Sequence, residues 1–173
     1  MLVGILSDTH DNAASMAAAM ALLRQRGCRR FIHCGDVGSP RILDHLAGFQ
    51  ASFVWGNCDW DRPALERHAR HLDITCHGAF GEFDLDGAPA ALLHGDDHRL
   101  KARLLAEQRH AYLLQGHTHL AEDRRIGRVR LINPGALHRA NPRTVAILDT
   151  ASGALELLAV SLTPPSASDP GAG

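Results

Sequence analysis

The chain has 173 residues, of which 45% are hydrophobic and 21% are charged, and its net charge is −1. This length and composition suit one globular domain with a full apolar core. The balanced charge argues against a basic nucleic-acid-binding surface, so nucleic acid is not an expected partner. No apolar run approaches the about 18 residues that a membrane-spanning helix needs, so we expect no membrane partner.

Short apolar strands alternate with helices in the first third of the chain, which predicts parallel pairing in an α/β fold. Strands are predicted at Leu2–Leu6, Arg30–Cys34 and Ala51–Trp55 because each is short, apolar and followed by polar residues. Helices are predicted over residues 12–26 and 40–47, since Asn12 and Ser39 can cap them.

The second half of the chain is predicted to be mainly antiparallel β-structure. The pair Asp86-Gly87 is a strong hairpin signal between two apolar runs. One helix is predicted at Arg99–Gln108. The predicted strands are Ala79–Leu85, Ala88–Leu93, Tyr112–Leu114, Ala121–Ile126, Val129–Ile132, Thr144–Asp149 and Leu155–Val160.

Residues 1–162 are therefore predicted to form one α/β (α+β) domain of two packed sheets with helices outside. Residues 163–173 are mostly Pro, Ser, Ala and Gly, which cannot bury apolar area, and are predicted to be a disordered tail. The four cysteines form no C-x-x-C pair, which indicates reduced thiols and a cytoplasmic location. The first residues do not have the pattern of a signal peptide.

Polar residues that can bind metal ions cluster where the predicted strands end. In open α/β sheets, binding sites form beyond the carboxyl ends of strands. Five consecutive strand ends carry such residues: Asp8 with His10, Asp36, Asn57 with Cys58 and Asp59, His94, and His117 with His119.

Each of these segments is a weak signal alone, because Asp-x-His and Gly-Asp are common in turns. A lone His94 would more often be a packing residue. His117 and His119 are alternate residues that can face one side and bind one ion. The five segments together predict a metal centre.

The residue types indicate phosphate chemistry. Carboxylate, imidazole and amide oxygen suit Mn, Fe, Zn, Ni or Mg ions. Two ions about 3.5–4 Å apart can hold both oxygens of an in-line displacement, and Asp36 is the candidate carboxylate between them. Two dications, two carboxylates and one hydroxide leave a net charge of about +1, which favours an anionic substrate.

The motifs resemble those of the calcineurin-like metallophosphoesterase superfamily, in the family's order along the chain. The short length and the Gly56-Asn57-Cys58-Asp59 segment are similar to the small prokaryotic phosphodiesterases of that superfamily. The other matching segments are Asp8-x-His10, Gly35-Asp36, His94-Gly95, Gly116-His117-x-His119 and Asn133-Pro134-Gly135.

The resemblance implies a four-layer α-β-β-α sandwich of two mixed sheets and a metal-dependent phosphoesterase, with a phosphodiester substrate favoured. It implies two divalent metal ions, with manganese favoured and nickel, iron, zinc and magnesium left open. Asp36 would bridge the ions, a hydroxide bridging them would be the nucleophile, and Asn57 would also touch the phosphate. The other ligands would be Asp8, His10 and His119 for one ion and Asn57, His94 and His117 for the second.

Two residues depart from the family pattern. Cys58 stands where most members have the histidine thought to protonate the leaving group, and a thiol is a poor general acid. Cys58 is therefore predicted either to take part in catalysis or to be a small buried filler, with Asp59 as a supporting or loop residue. Asp96 stands where many relatives have a second histidine, which leaves the ligand His94 intact.

Other functions remain open at this stage. The superfamily includes a protein-binding retromer subunit, so an interaction scaffold is one alternative; a phosphomonoesterase or nucleotide hydrolase is another. The expected partner is a small phosphate ester, and a homo-oligomer is left open. His33 and His138 follow no ligand pattern, and Arg139 is predicted to lie in a solvated loop.

Overall fold

The computed structural model describes residues 1–162, and the predicted disordered tail at 163–173 lies outside this range. Its helices are α1 Ala13–Gln25, α2 Pro40–Leu43, α3 Arg62–His71 and α4 His98–Glu107. Its strands are β1 Leu2–Leu6, β2 Arg30–His33, β3 Gln50–Phe53, β4 Thr75–Cys76, β5 Phe80–Leu85, β6 Ala88–Leu93, β7 Tyr112–Leu114, β8 Ala121–Ile126, β9 Val129–Pro134, β10 Thr144–Asp149 and β11 Leu155–Ala159.

The strands form two mixed sheets. The first sheet has the order β11-β10-β1-β2-β3-β4, and β1 to β4 are parallel while β10 and β11 pair antiparallel beside β1. The second sheet has the order β5-β6-β7-β9-β8, with β6, β7 and β9 parallel and the two edge strands antiparallel.

Three apolar clusters divide the sandwich into four layers. The alternation of side chains along each strand separates them. The central cluster joins the facing surfaces of the sheets, for example Ile5 with Leu92 and Ile132. A second cluster packs α1, α2 and α3 on the first sheet, and a third packs α4 on the second sheet. The predicted fold class is therefore confirmed.

The sequence predicted no helix at α3 and no strand at β4. The Asp61 carboxylate caps α3 by accepting a hydrogen bond from the Ala64 N–H at 3.0 Å. Only Leu65 and Ala69 of this helix are buried, so its apolar period is too sparse to recognise. β4 has two residues, which is below the length that an alternating pattern needs.

The parallel pairing brings the carboxyl ends of β1, β2 and β3 to one edge of the first sheet. β6 and β7 end at the same edge of the sandwich in the second sheet: the Gly116 N–H after β7 donates to the His94 carbonyl after β6. We call this the ligand edge, and the opposite edge, with the β5–β6, β8–β9 and β10–β11 turns, the hairpin edge. Within residues 1–162, no helix is both long enough and apolar enough to cross a membrane.

Candidate metal centre

Two buried aspartates form the floor of the ligand edge. Asp8 follows β1 and Asp36 follows β2, and they are 0% and 2% exposed. The His117 N–H donates to Asp8 Oδ2 at 3.0 Å, and the Cys58 N–H donates to Asp36 Oδ1 at 2.7 Å. Each carboxylate is therefore fixed by one oxygen and presents the other.

His94 faces both presented oxygens. Its Nδ1–H donates to the Cys34 carbonyl at 2.8 Å, which leaves Nε2 directed at the aspartates. His94 Nε2 lies 3.3 Å from Asp36 Oδ2 and 3.9 Å from Asp8 Oδ1. Both His94 Nε2 and Asp8 Oδ1 are buried without a hydrogen-bond partner. Such atoms are costly to bury, so the arrangement fits a bound cation.

His10 and His119 complete the first part of the cluster from opposite sheets. Their Nε2 atoms are 3.4 Å apart. His119 Nε2 lies 3.3 Å from Asp8 Oδ1, and His10 Nε2 lies 3.5 Å from Asp36 Oδ2. One potential ligand atom from each of Asp8, His10 and His119 lies within 4.8 Å of the others, and the same holds for Asp8, Asp36 and His94.

Asn57 and His117 line the same cavity and are hydrogen-bonded to each other rather than to the five residues above. His117 Nδ1 lies 3.1 Å from Asn57 Oδ1, so it is the donor in this pair. The His117 ring is also an edge-on neighbour of His94, with centroids 5.1 Å apart. The structure thus brings all seven predicted ligands to one edge, with five in close contact and two beside them.

An open cavity of about 400 Å³ lies above this floor. Its walls include Cys58, which is half-buried and faces the ligands. Burial raises the pKa of the Cys58 thiol, and the Asp36 carboxylate raises it further, so the thiol is protonated at neutral pH. Cys58 is thus partly exposed at the cavity wall, and its part in catalysis stays a prediction.

His138 and Arg139 also line this cavity, whereas the sequence favoured a solvated loop for Arg139 over a contact with phosphate. The His138 ring lies 5.3 Å from the His10 ring, between centroids. Both residues follow β9, whose parallel pairing with β7 sends the next loop to the ligand edge. The signal that could have found them is their closeness to the Asn133-Pro134-Gly135 motif.

A model of the calcineurin-like phosphoesterase superfamily domain matches residues 1–153. This chain belongs to the calcineurin-like phosphoesterase superfamily. It is a hydrolase of phosphate esters, and the superfamily implies divalent metal ions at the cluster described above. The predicted family and the predicted class of enzyme are confirmed.

Relatives of this phosphoesterase cover most of its length. The phosphodiesterase MJ0936 of Methanocaldococcus jannaschii is 26% identical over 157 residues, which span 87% of this chain and 93% of that protein. A probable metallophosphoesterase of Methanothermobacter thermautotrophicus is 30% identical over 144 residues, or 79% of this chain and 77% of that protein. A solved structure of an archaeal phosphodiesterase superposes with a TM-score of 0.85 at 23% identity, covering 92% of this chain and all of that one, and shows the shared fold.

In the buried floor, Asp36 and His94 each shift the pKa of the other. Burial raises the pKa of the Asp36 carboxyl, but the adjacent His94 ring and the Cys58 N–H outweigh burial and lower it to about 2. Burial lowers the pKa of His94, but the Asp36 carboxylate outweighs burial and raises it to about 9. The two shifts have one shared cause, since the His94 ring and the Asp36 carboxylate face each other.

Asp59 supports the site without lining the cavity. Its two carboxylate oxygens accept hydrogen bonds from the Gly38 and Gly56 N–H groups, both at 2.8 Å. Burial raises the pKa of this carboxyl despite those donors. Asp59 thus ties the loop after β2 to the loop after β3.

His33 is a supporting residue that the sequence did not reveal, because it is the last residue of β2 and belongs to no ligand pattern itself. The Gly35 N–H donates to His33 Nδ1 at 3.2 Å, so His33 Nε2–H is the donor to Thr9 Oγ1 at 2.8 Å. Complete burial lowers the pKa of His33 to about 3, so this ring is neutral. It joins the end of β2 to the segment between Asp8 and His10.

Proposed function

We propose that this phosphoesterase hydrolyses phosphodiesters with two divalent metal ions bound at the ligand edge. The observation that carries the proposal is the pair of buried atoms without hydrogen-bond partners, Asp8 Oδ1 and His94 Nε2, which face Asp36. Within a superfamily of phosphoesterases, a floor of this kind is suited to cations.

The proposed ligands are the seven residues that the sequence motifs indicate. Asp36 is the proposed bridge, because it contacts His94 and lies 3.5 Å from His10 on the other side. The two ions, when bound, would supply Lewis acidity at the phosphate and a reactive oxygen nucleophile at neutral pH. Manganese is the proposed ion, because it accepts this mixture of oxygen and nitrogen ligands. The proposed ligands are Asp8, His10 and His119, then Asn57, His94 and His117, with Asp36 between them.

The chain's own residues would bind and orient the phosphate. Asn57 is exposed at the cavity wall, and its Nδ2 amide group can donate to a phosphate oxygen while Oδ1 faces His117. Arg139 lines the same cavity and offers a guanidinium, a group that pairs well with phosphate. These donors would hold the phosphorus above the buried floor.

Protonation of the leaving group is the weak part of the proposed mechanism. The Cys58 thiol is at the cavity wall and carries a proton, but burial and Asp36 raise its pKa, which makes it a poor acid. His138 lies at the same cavity and is the other titratable group that could meet the leaving oxygen. We therefore propose that substrates with good leaving groups react fastest.

The test is hydrolysis of bis-p-nitrophenyl phosphate beside p-nitrophenyl phosphate, after chelation and after Mn²⁺, Ni²⁺, Zn²⁺ or Mg²⁺ is restored. We expect turnover only with metal and a preference for the diester. A preference for the monoester would favour the phosphomonoesterase alternative. No turnover with any metal would favour the interaction scaffold. The observation behind that alternative is Cys58, which stands where most superfamily members have the general acid.

A further inference from the structure

A second cavity of about 360 Å³ adjoins the cavity above the metal ligands. His119 and Arg139 line both of them, so the two spaces meet along these side chains. A group attached to a phosphate in the first cavity therefore lies close to the second.

The walls of this second cavity are of mixed polarity. They are built from the start of β8, the loop between β9 and β10 and the first residue of β10, and they combine the apolar Leu120, Ala140 and Pro142 with the polar Asn141 and Thr144. Leu120 is 70% exposed and offers apolar surface beside the polar site. A ligand with an apolar part would cover this surface.

Arg139 borders both cavities, and its positive charge is not paired with an acidic side chain among residues 1–162. Within residues 1–162 its guanidinium has no ion pair or hydrogen bond. By contrast, Arg143 in the same loop donates from Nε to the Leu137 carbonyl at 3.2 Å, and Arg62 donates to the Gly56 carbonyl at 3.3 Å. A free guanidinium can pair with a phosphate oxygen and can also stack on a planar ring.

We propose that the second cavity binds one ester arm of the substrate, and that the arm carries a planar ring next to the phosphate. This inference rests on the proposed phosphodiesterase function. Arg139 would contact both the phosphate and the ring, while Leu120, Ala140 and Pro142 would cover the faces of the ring. A phosphomonoester has only one arm, and a dialkyl ester with small arms would leave the cavity unfilled.

The test measures how strongly two diesters of equal charge, diphenyl phosphate and dimethyl phosphate, inhibit hydrolysis of bis-p-nitrophenyl phosphate by the Mn²⁺-loaded protein, since a competing diester gives an inhibition constant even if it is itself turned over slowly. We expect diphenyl phosphate to bind about tenfold more tightly, the ratio expected when part of one ring is buried. Two variants probe the cavity: Ala140→Phe fills it, and Leu120→Ser removes an exposed apolar wall without disturbing the core. Each should bring the affinity ratio close to one while the affinity for dimethyl phosphate stays within about twofold.

Matched controls come from the hairpin edge. Ala151→Phe adds the same ring in the β10–β11 turn and should leave the ratio unchanged. Arg139→Ala should weaken both diesters about tenfold, whereas Arg128→Ala in the β8–β9 turn should weaken neither. A tenfold ratio that persists in both cavity variants, with diester turnover intact, would overturn the inference and leave the function standing. Failure to hydrolyse any diester with any of the four metals would overturn the proposed function and this inference with it.

Discussion

Asp36 and Asp86 are the same residue type in nearly the same backbone conformation, with φ of 53° and 54°. Asp36 is on the ligand edge and is 2% exposed, whereas Asp86 is exposed in the β5–β6 turn on the hairpin edge. Asp86 accepts a hydrogen bond from the Thr150 hydroxyl and lies 3.7 Å from the N-terminal amine. With the same left-handed backbone conformation, Asp86 forms a surface turn, whereas Asp36 directs a carboxylate oxygen into the buried floor.

The same contrast extends over the two edges. Within residues 1–162, ten non-glycine residues have positive φ, and seven of them lie in the loops of the ligand edge. This conformation is costly for most residues, but aspartate and histidine tolerate it better than most. The residue types that bind metal are therefore also types that can hold these loops. The seven are Asp8, His10, Asp11, Asp36, His117, His119 and Arg139.

The largest expected effect is that of Asp36→Asn. It should lower metal-dependent turnover by at least about a hundredfold and weaken metal binding, because the proposed bridge serves both ions. Asp86→Asn is the matched control and should change turnover by less than about twofold and stability by less than about 0.5 kcal/mol. Turnover of Asp36→Asn within about tenfold of wild type, with metal supplied, would refute the bridging role.

Two glycines sharpen the comparison in the backbone. A Cβ on Gly56 would lie 2.0 Å from Asp36 Oδ1, whereas a Cβ on Gly87 in the β5–β6 turn would meet nothing within 4 Å. Gly56→Ala should therefore displace Asp36 and lower metal affinity about 10–100-fold. Gly87→Ala, at φ 88°, should cost about 1–2 kcal/mol of stability and leave metal affinity unchanged. Equal metal affinities in the two variants would remove the distinction between the edges.

A smaller effect is expected from Cys58→His, which restores the general acid of most superfamily members. We expect turnover of alkyl esters to rise about tenfold relative to that of p-nitrophenyl esters, since protonation matters most for basic leaving groups. Cys58→Ser has a similar size without a comparable acid and should change both classes equally. Equal gains for alkyl and aryl esters in Cys58→His would exclude the missing acid as the cause of the proposed preference for good leaving groups.

A last effect, on stability rather than on metal binding or turnover, is the pH dependence that His33 gives to the free energy of unfolding. Its pKa is about 3 in the folded protein against an ordinary value of 6.5, so the unfolded chain binds the extra proton between these pH values. Its contribution to the free energy of unfolding is therefore complete above about pH 6.5 and decreases as pH falls towards 3. Urea unfolding in chelator should show a steeper loss for wild type than for His33→Gln. If the free energy of unfolding falls equally with pH in both proteins, a group other than His33 binds this proton.

The cluster of proposed ligands at the ligand edge could be predicted from sequence because its residues stand in short motifs directly after strands. The order of those motifs, from Asp8 to His119, is one-dimensional information. The hairpin at Asp86-Gly87 was predicted for a similar reason, since its turn chemistry is local. The helix α3 was missed because only Leu65 and Ala69 face the core.

The second wall of the site depends on non-local pairing that no local pattern contains. Arg139 reaches the cavity because β9 inserts beside β7 and the chain then crosses to β10 in the other sheet. His33 supports the site only because β2 lies next to β1, where its ring meets Thr9. Spacing along the chain does not encode these contacts. The nearby Asn133-Pro134-Gly135 and Gly35-Asp36 motifs place the two residues close to the site in sequence but do not show which neighbours they touch.

The origin of the ligands has a consequence for assembly of the fold. Asp8 and Asp36 extend from the first sheet, whereas His94 and His119 extend from the second. An ion bound by both sets would act as a crosslink between the two halves of the sandwich, and it would select only the docked arrangement. Metal concentration would then enter the folding equilibrium directly, adding about 2.7 kcal/mol at a hundredfold excess over the dissociation constant. The ions proposed for catalysis would thus also stabilise the correct docking of the two sheets.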